Sequence, residues 1–288
     1  MFKYVLVPAT GTDIDGPIFA AADQVARLWS SHLQFLHVRI DAEKVFLAVA
    51  SAEFGGSSGV ESAIEAMDQQ AAVRQNKTEQ AVREFCAQQN IEFSDAPGTN
   101  RPTAEWRVET GEDEEWITNH GRTADLLVVG RGREDQAEGR GLLEAALMQT
   151  GRPVLIPSTK PRQLDLETVV IAWKDTREAA RAVAAAMPFI ERATRVFVLS
   201  VEEGETSTEH SCDRLCHALR WHNPNTDAHR MKHEGVHPAE TMLQTLARHG
   251  GDLLVMGGYS HSRLREVVFG GFTRRVLASA DLPVLIAH

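Results

Sequence analysis

A chain of 288 residues, 43% hydrophobic and 24% charged, has ordinary globular composition and is long enough for two domains of moderate size. Its net charge of -10 works against nonspecific binding to nucleic acid or an acidic membrane surface, and no apolar run reaches the length of a membrane-spanning helix. Only three cysteines are present, Cys86, Cys212 and Cys216, which make no disulfide framework; with a start that has no signal-peptide layout they point to a reducing, cytoplasmic setting.

In chain order, VLVPAT at 5–10 reads as a buried strand. Ile18, Phe19, Ala22, Val25, Ala26 and Leu28 then follow at helical spacing, and LQFLHV at 33–38 reads as a second strand. The stretch 40–58 carries Gly55, Gly56, Ser57 and Ser58 without a clear period; it is either a surface loop or a short lid helix around Val45 to Ala50. Residues 60–86 read as a long amphipathic helix with Val60, Ile64, Met67, Val82 and Phe85 on or near one face. A strand AEWRVETG leads to Glu112, Asp113, Glu114 and Glu115, which suit the first turn of a helix because they complement its dipole. DLLVVG at 125–130 and PVLI at 153–156 are further strands, and the prolines and charges of 157–167 mark a boundary.

Beyond it the order repeats. VVIAWK at 169–174 answers VLVPAT, and RVFVLSV at 195–201 answers LQFLHV. DLLVMG recurs 252 − 125 = 127 residues after DLLVVG, and PVLI recurs 283 − 153 = 130 residues after its first copy. Ala179, Ala182, Val183, Ala186 and Met187 form the second helical stripe, and a shorter helix at 207–221 turns Cys212, Leu215, Cys216 and Leu219 inward. Four segments in register mean a duplicated unit, and apolar strands alternating with helices mean parallel sheets covered on both faces. The expected domains are 1–157 and 165–288.

In such sheets a ligand sits at the carboxyl ends of the strands, where glycines admit phosphate to backbone N–H groups and a helix N-terminus favours negative charge. The second half offers Met256, Gly257, Gly258, Tyr259 and Ser260 leaving a strand, and Gly270, Gly271, Phe272 and Thr273 opening a helix. Taken alone, these glycines read more readily as tight turns than as a phosphate cradle. The run from Cys212 to His237 lacks the paired spacing of a zinc site; an apolar helix face accounts for the cysteines and a polar loop for the histidines. Trp106, Trp116 and Trp221 read as packing or surface residues, while Trp173 ends a strand beside the presumed pocket.

The segment 252–288 resembles the end of a universal stress protein domain, whose Gly-x2-Gly-x9-Gly-Ser/Thr pattern precedes a Pro-Val-Leu strand; 169–183 resembles that family's first strand and helix. The resemblance implies an α/β fold of two tandem flavodoxin-like (adenine nucleotide α-hydrolase-like) domains. Each would be a roughly five-stranded parallel sheet with helices on both faces, paired through 153–157 and 283–287 as an intrachain pseudo-dimer. It implies stress-response function with weak ATP or AMP binding in the second domain. The residues it assigns are Ala172, Trp173, Lys174, Val201, Met256, Gly257, Tyr259, Ser260, Gly270, Gly271, Phe272 and Thr273.

Three positions depart from the ATP-binding pattern: Ser260 replaces glycine, Gly271 replaces Ser/Thr, and Lys174 (Thr10 in the first half) replaces an acidic residue. The first-half loop, Gly130-Arg131-Gly132-Arg133, is three residues shorter and lacks the later glycine spacing. The expectation is therefore one site, in the second half, with no metal and no nucleic-acid or membrane partner. An unidentified protein partner and a homodimer are compatible with the sequence. The alternatives are an interaction protein without nucleotide and, last because no general base is placed, a slow nucleotide hydrolase.

Overall fold

Runs that are apolar on both faces need cover on both, and they form the middle of the sheet. The first half supplies β1 (Tyr4–Pro8), β2 (His32–Arg39), β3 (Glu92–Phe93), β4 (Thr103–Thr110), β5 (Leu126–Val128) and β6 (Val154–Ile156). The second supplies β7 (Thr168–Ala172), β8 (Arg195–Glu202), β9 (Thr226–Lys232), β10 (Leu253–Gly257) and β11 (Val284–Ala287). Between them run α1 (Asp15–Trp29), α2 (Val60–Gln89), α3 (Asp113–Gly121), α4 (Ala137–Gln149), α5 (Arg177–Ile190), α6 (Thr208–Leu219), α7 (Pro238–Arg248) and α8 (Gly271–Ser279). This computed structural model describes residues 1–45, 47, 60–96, 100–131, 137–158, 160, 162–202, 208–232, 237–258 and 271–288. Residues 42–45 are helical, inside the stretch read as a loop or a lid; most of the expected lid helix lies outside the described residues.

Among the described residues, eleven strands join one sheet in the order β3-β4-β2-β1-β5-β6-β11-β10-β7-β8-β9. The pairs are parallel within each half, as in two flavodoxin-like domains, and the first domain carries the two-residue β3 as a sixth strand. The domains meet through β6 and β11, antiparallel, with Val284 opposite Ile156 and Ile286 opposite Val154. Each domain thereby covers an edge that it would otherwise expose.

Two cores follow. One face packs α1, α2, α5 and α6 through Ile18, Val82, Ala182 and Cys216; the other packs α3, α4, α7 and α8 through Ile117, Leu143, Met242 and Val276. The cysteines are buried and free. Local chemistry fixes the ends. Ser30 closes α1 in the left-handed region, and the Thr176 side chain accepts the Ala179 N–H to start α5.

Across the junction, Trp29 meets Phe2 at 5.1 Å and Phe189 at 4.9 Å, both edge-on. Arg192 lies 5.8 Å from the Trp29 ring and donates to the Leu28 carbonyl at 2.8 Å. The segment joining the domains is tied down: the Gln24 side chain donates to the Arg162 carbonyl and accepts the Leu164 N–H. No helix among the described residues is long and apolar enough to cross a membrane.

Candidate functional site

Register places the second domain's strand ends in one row, with Ala172 opposite both Leu199 and Met256. Ala172, Trp173, Lys174, Val201, Met256 and Gly257 therefore share one end of the sheet. Helix α8 returns antiparallel to the strands to reach the start of β11, so Gly271, Phe272 and Thr273 in its first turn face that same end. Tyr259, Ser260 and Gly270 lie outside the described residues.

Gly257 is required by close approach: a Cβ there would meet the backbone at 2.5 Å from Ala179 N and 2.7 Å from Glu178 C. The start of α5 thus packs directly on the end of β10, which only glycine permits. Gly271 is the opposite case, exposed and with nothing within 4 Å of where a Cβ would stand. Lys174 is exposed at the end of β7. The Trp173 indole N–H donates to the Ser211 hydroxyl at 3.3 Å. Beside Val201, the Ser200 hydroxyl is 2% exposed and has no hydrogen-bond partner among the described residues.

The first domain fills the equivalent end with its own side chains. The bonds Ala9 N–Leu36 O and Trp173 N–Leu199 O, both 2.8 Å, equate Thr10 with Lys174 and His37 with Ser200. His37 bonds the Ala9 carbonyl through Nδ1 at 2.7 Å, and burial lowers its pKa. Asp15, buried at the head of α1, accepts the Thr10 N–H at 3.1 Å, the Thr10 hydroxyl at 2.8 Å and the Gly11 N–H at 2.7 Å. Burial raises its pKa, and these bonds work the other way.

Arg74 reaches from α2 to the Thr10 carbonyl at 2.8 Å, and Thr78 crowds Gly11. A cavity of about 10 Å³ remains between Thr10, Leu36, Arg74 and Asp113, room for about one water. At α4, the Glu114 carboxylate packs on Gly141, and burial together with Glu114 raises the pKa of Glu144. Negative charge lies beside the helix where an anion would bind.

Arg131, in the short first-half loop, is committed to three carbonyls, those of Pro157, Leu277 and Leu282. Nothing in its local sequence signals partners about 150 residues away. A second polar group that the sequence reading passed over surrounds Glu105, which accepts Tyr4 Oη at 2.7 Å, Gln34 Nε2 at 2.8 Å and Arg107 Nε at 2.9 Å. Burial would raise the Glu105 pKa, but the bonds from Tyr4 and Gln34 and the Arg107 charge hold it below the ordinary value. Among the described residues, no three His, Cys, Asp or Glu side chains are placed to hold a metal.

Fold and site geometry together define a doubled flavodoxin-like α/β protein with its strand-end clefts built unequally. Residues 199–288 match the model of the Universal stress protein family. The whole chain superposes on a universal stress protein from Archaeoglobus fulgidus with a TM-score of 0.71 at 13% identity, covering 98% of this chain and 95% of that one. A putative universal stress protein from Pseudomonas aeruginosa gives a TM-score of 0.59 at 14% identity, covering 99% and 93%. Over 49 residues the chain is 35% identical to the stress response protein NhaX of Bacillus subtilis, a match spanning 17% of this chain and 30% of that protein. The likeness to universal stress proteins is thus a family match over residues 199–288 and a shared tandem two-domain fold over the whole chain.

Proposed function

We propose that the chain is a stress-response module whose second domain, taken as 165–288, binds ATP or AMP weakly, with 1–157 as a partner domain that binds none. The observation that carries this reading is the contrast at the strand ends. Among the described residues, the second domain has an exposed Gly271 with free space at its Cβ position and a backbone-tight Gly257, where the first has Asp15 bonded to Thr10 and Gly11, His37 to Ala9 and Arg74 to Thr10.

The first N–H groups of a helix have no intrahelical acceptor and its dipole favours an anion, so Gly271, Phe272 and Thr273 would hold phosphate. Lys174 would supply the positive charge that a carboxylate cannot. Ala172, Trp173, Val201 and Met256 would border the base, with Gly257, Tyr259, Ser260 and Gly270 shaping the loop. Weak binding follows from Gly271, which offers phosphate a backbone N–H and no hydroxyl.

Isothermal calorimetry with AMP and ATP tests this. Gly271→Ser adds a hydroxyl where the described residues leave space and should tighten binding about three- to tenfold, the net worth of one more ordinary hydrogen bond. Unchanged affinity would mean that phosphate does not meet this turn. A second reading, an interaction protein without nucleotide, is favoured by Trp221, which is 83% exposed on the turn before β9. Absence of binding heat at millimolar nucleotide would select it.

A further inference from the structure

Arg131 leaves the end of β5 directly after Gly130, the position that opens a phosphate loop in this fold, yet its guanidinium points across the domain junction. Its Nη1 donates to the Leu277 carbonyl at 2.7 Å, Nη2 to Leu282 at 3.0 Å and Nε to Pro157 at 3.2 Å. All three acceptors lie where regular secondary structure ends or has yet to begin. Leu277 lies in the last turn of α8, where carbonyls have no intrahelical partner; Leu282 precedes Pro283, and Pro157 follows β6.

The fork therefore stitches three points around one end of the β6–β11 joint, and it brings a cation to the negative end of the α8 dipole. Helix α8 is the element whose first turn opens at the second domain's strand ends. Symmetry does not return the favour: the residue 127 positions on from Arg131 is Gly258, which bonds Ala287 through its backbone N–H.

We infer that Arg131 is a positioning residue for the second domain's candidate site, supplied by the first domain, and that it sets the placement of α8 and hence of the phosphate-facing turn. This rests on the nucleotide reading above for its functional consequence and on the three hydrogen bonds for its mechanics. It gives the first domain a task that a degenerate nucleotide site would not: the second domain's site is incomplete without its neighbour.

The test compares Arg131→Met with Arg192→Met, which removes another cross-domain arginine that touches Leu28 and Trp29 and not α8. AMP is titrated by calorimetry and backbone hydrogen exchange is followed in the intact chain. Arg131→Met should weaken AMP binding about tenfold, an ordinary coupling between linked elements, and speed exchange over 271–282, while Arg192→Met leaves both near wild type. Arg131→Lys keeps charge but not the fork and should fall between them.

Equal effects of the Met variants on AMP binding would reduce Arg131 to a junction contact and overturn the inference. If the wild type itself shows no binding heat, the nucleotide reading fails alone. Faster exchange confined to 271–282 in Arg131→Met would then still uphold the hold on α8, and unchanged exchange there would overturn it.

Discussion

The two domains share a strand order and a pair of cores, yet they treat the carboxyl ends of their strands in opposite ways. In the first, Asp15 gathers the Thr10 and Gly11 N–H groups that a ligand would otherwise meet, and Arg74 closes on the Thr10 carbonyl. In the second, Thr176 caps α5 from within its own loop, and Lys174 and Gly271 are exposed. In the function proposed above, duplication lets one copy serve as the binding site while the other fills its strand ends with its own side chains. Arg131 is where that division becomes visible, since a residue of the first domain's loop closes carbonyls of the second domain's last helix.

The comparison breaks most severely at the junction. Trp29→Ala removes a buried ring that touches Phe2 and Phe189, and should cost about 3–5 kcal/mol in urea unfolding. If the domains unfold independently of this cluster, the loss will be far smaller.

The paired glycines sharpen it next. Gly257→Ala drives a methyl into the α5 backbone and should cost about 1–3 kcal/mol, an overpacking penalty. Gly130→Ala first meets the flexible Ile18 and Ile14 side chains, at 3.1 Å and beyond, so it should stay within about 1 kcal/mol of wild type. Equal costs would show that the two loops are packed alike.

Charge at the strand ends comes third. Lys174→Glu should weaken AMP binding about tenfold by turning an attraction into a repulsion, whereas Thr10→Lys should create no new site because Asp15 already occupies the loop. A second binding event in Thr10→Lys would contradict the closed first cleft.

The smallest effect is in acid. Glu105 has a lowered pKa in the folded state, so its contribution is complete above its ordinary value of 4.5 and is lost as pH falls through the lower folded value. Urea midpoints between pH 5 and pH 3 should fall less steeply in Glu105→Gln than in wild type.

Much of this architecture is legible in the sequence because the central strands are buried on both faces and read as unbroken apolar runs, LLV in β5 and LLVMG in β10. The pairing of β6 with β11 is legible only through the family resemblance. Periodicity says nothing of strands that carry no pattern: β3 has two residues, and β9, TDAHRMK, is a polar edge. The candidate site was legible as glycines and a lysine in order. The closure of the first cleft was not, because Asp15 reads as an ordinary acidic residue at a helix start, and Arg74 and His37 meet it only in three dimensions. Arg131 was legible as a cation in a degenerate loop, but its carbonyl acceptors in the other domain were not.

The most direct measurement is the stoichiometry of AMP and ATP binding to the intact chain by calorimetry. One nucleotide per chain is expected, lost or strongly weakened in Lys174→Glu and undisturbed by Asp15→Ala. Two per chain would show that the first cleft opens despite its internal bonds, and none would show that the second domain keeps the shape of a nucleotide site without its chemistry.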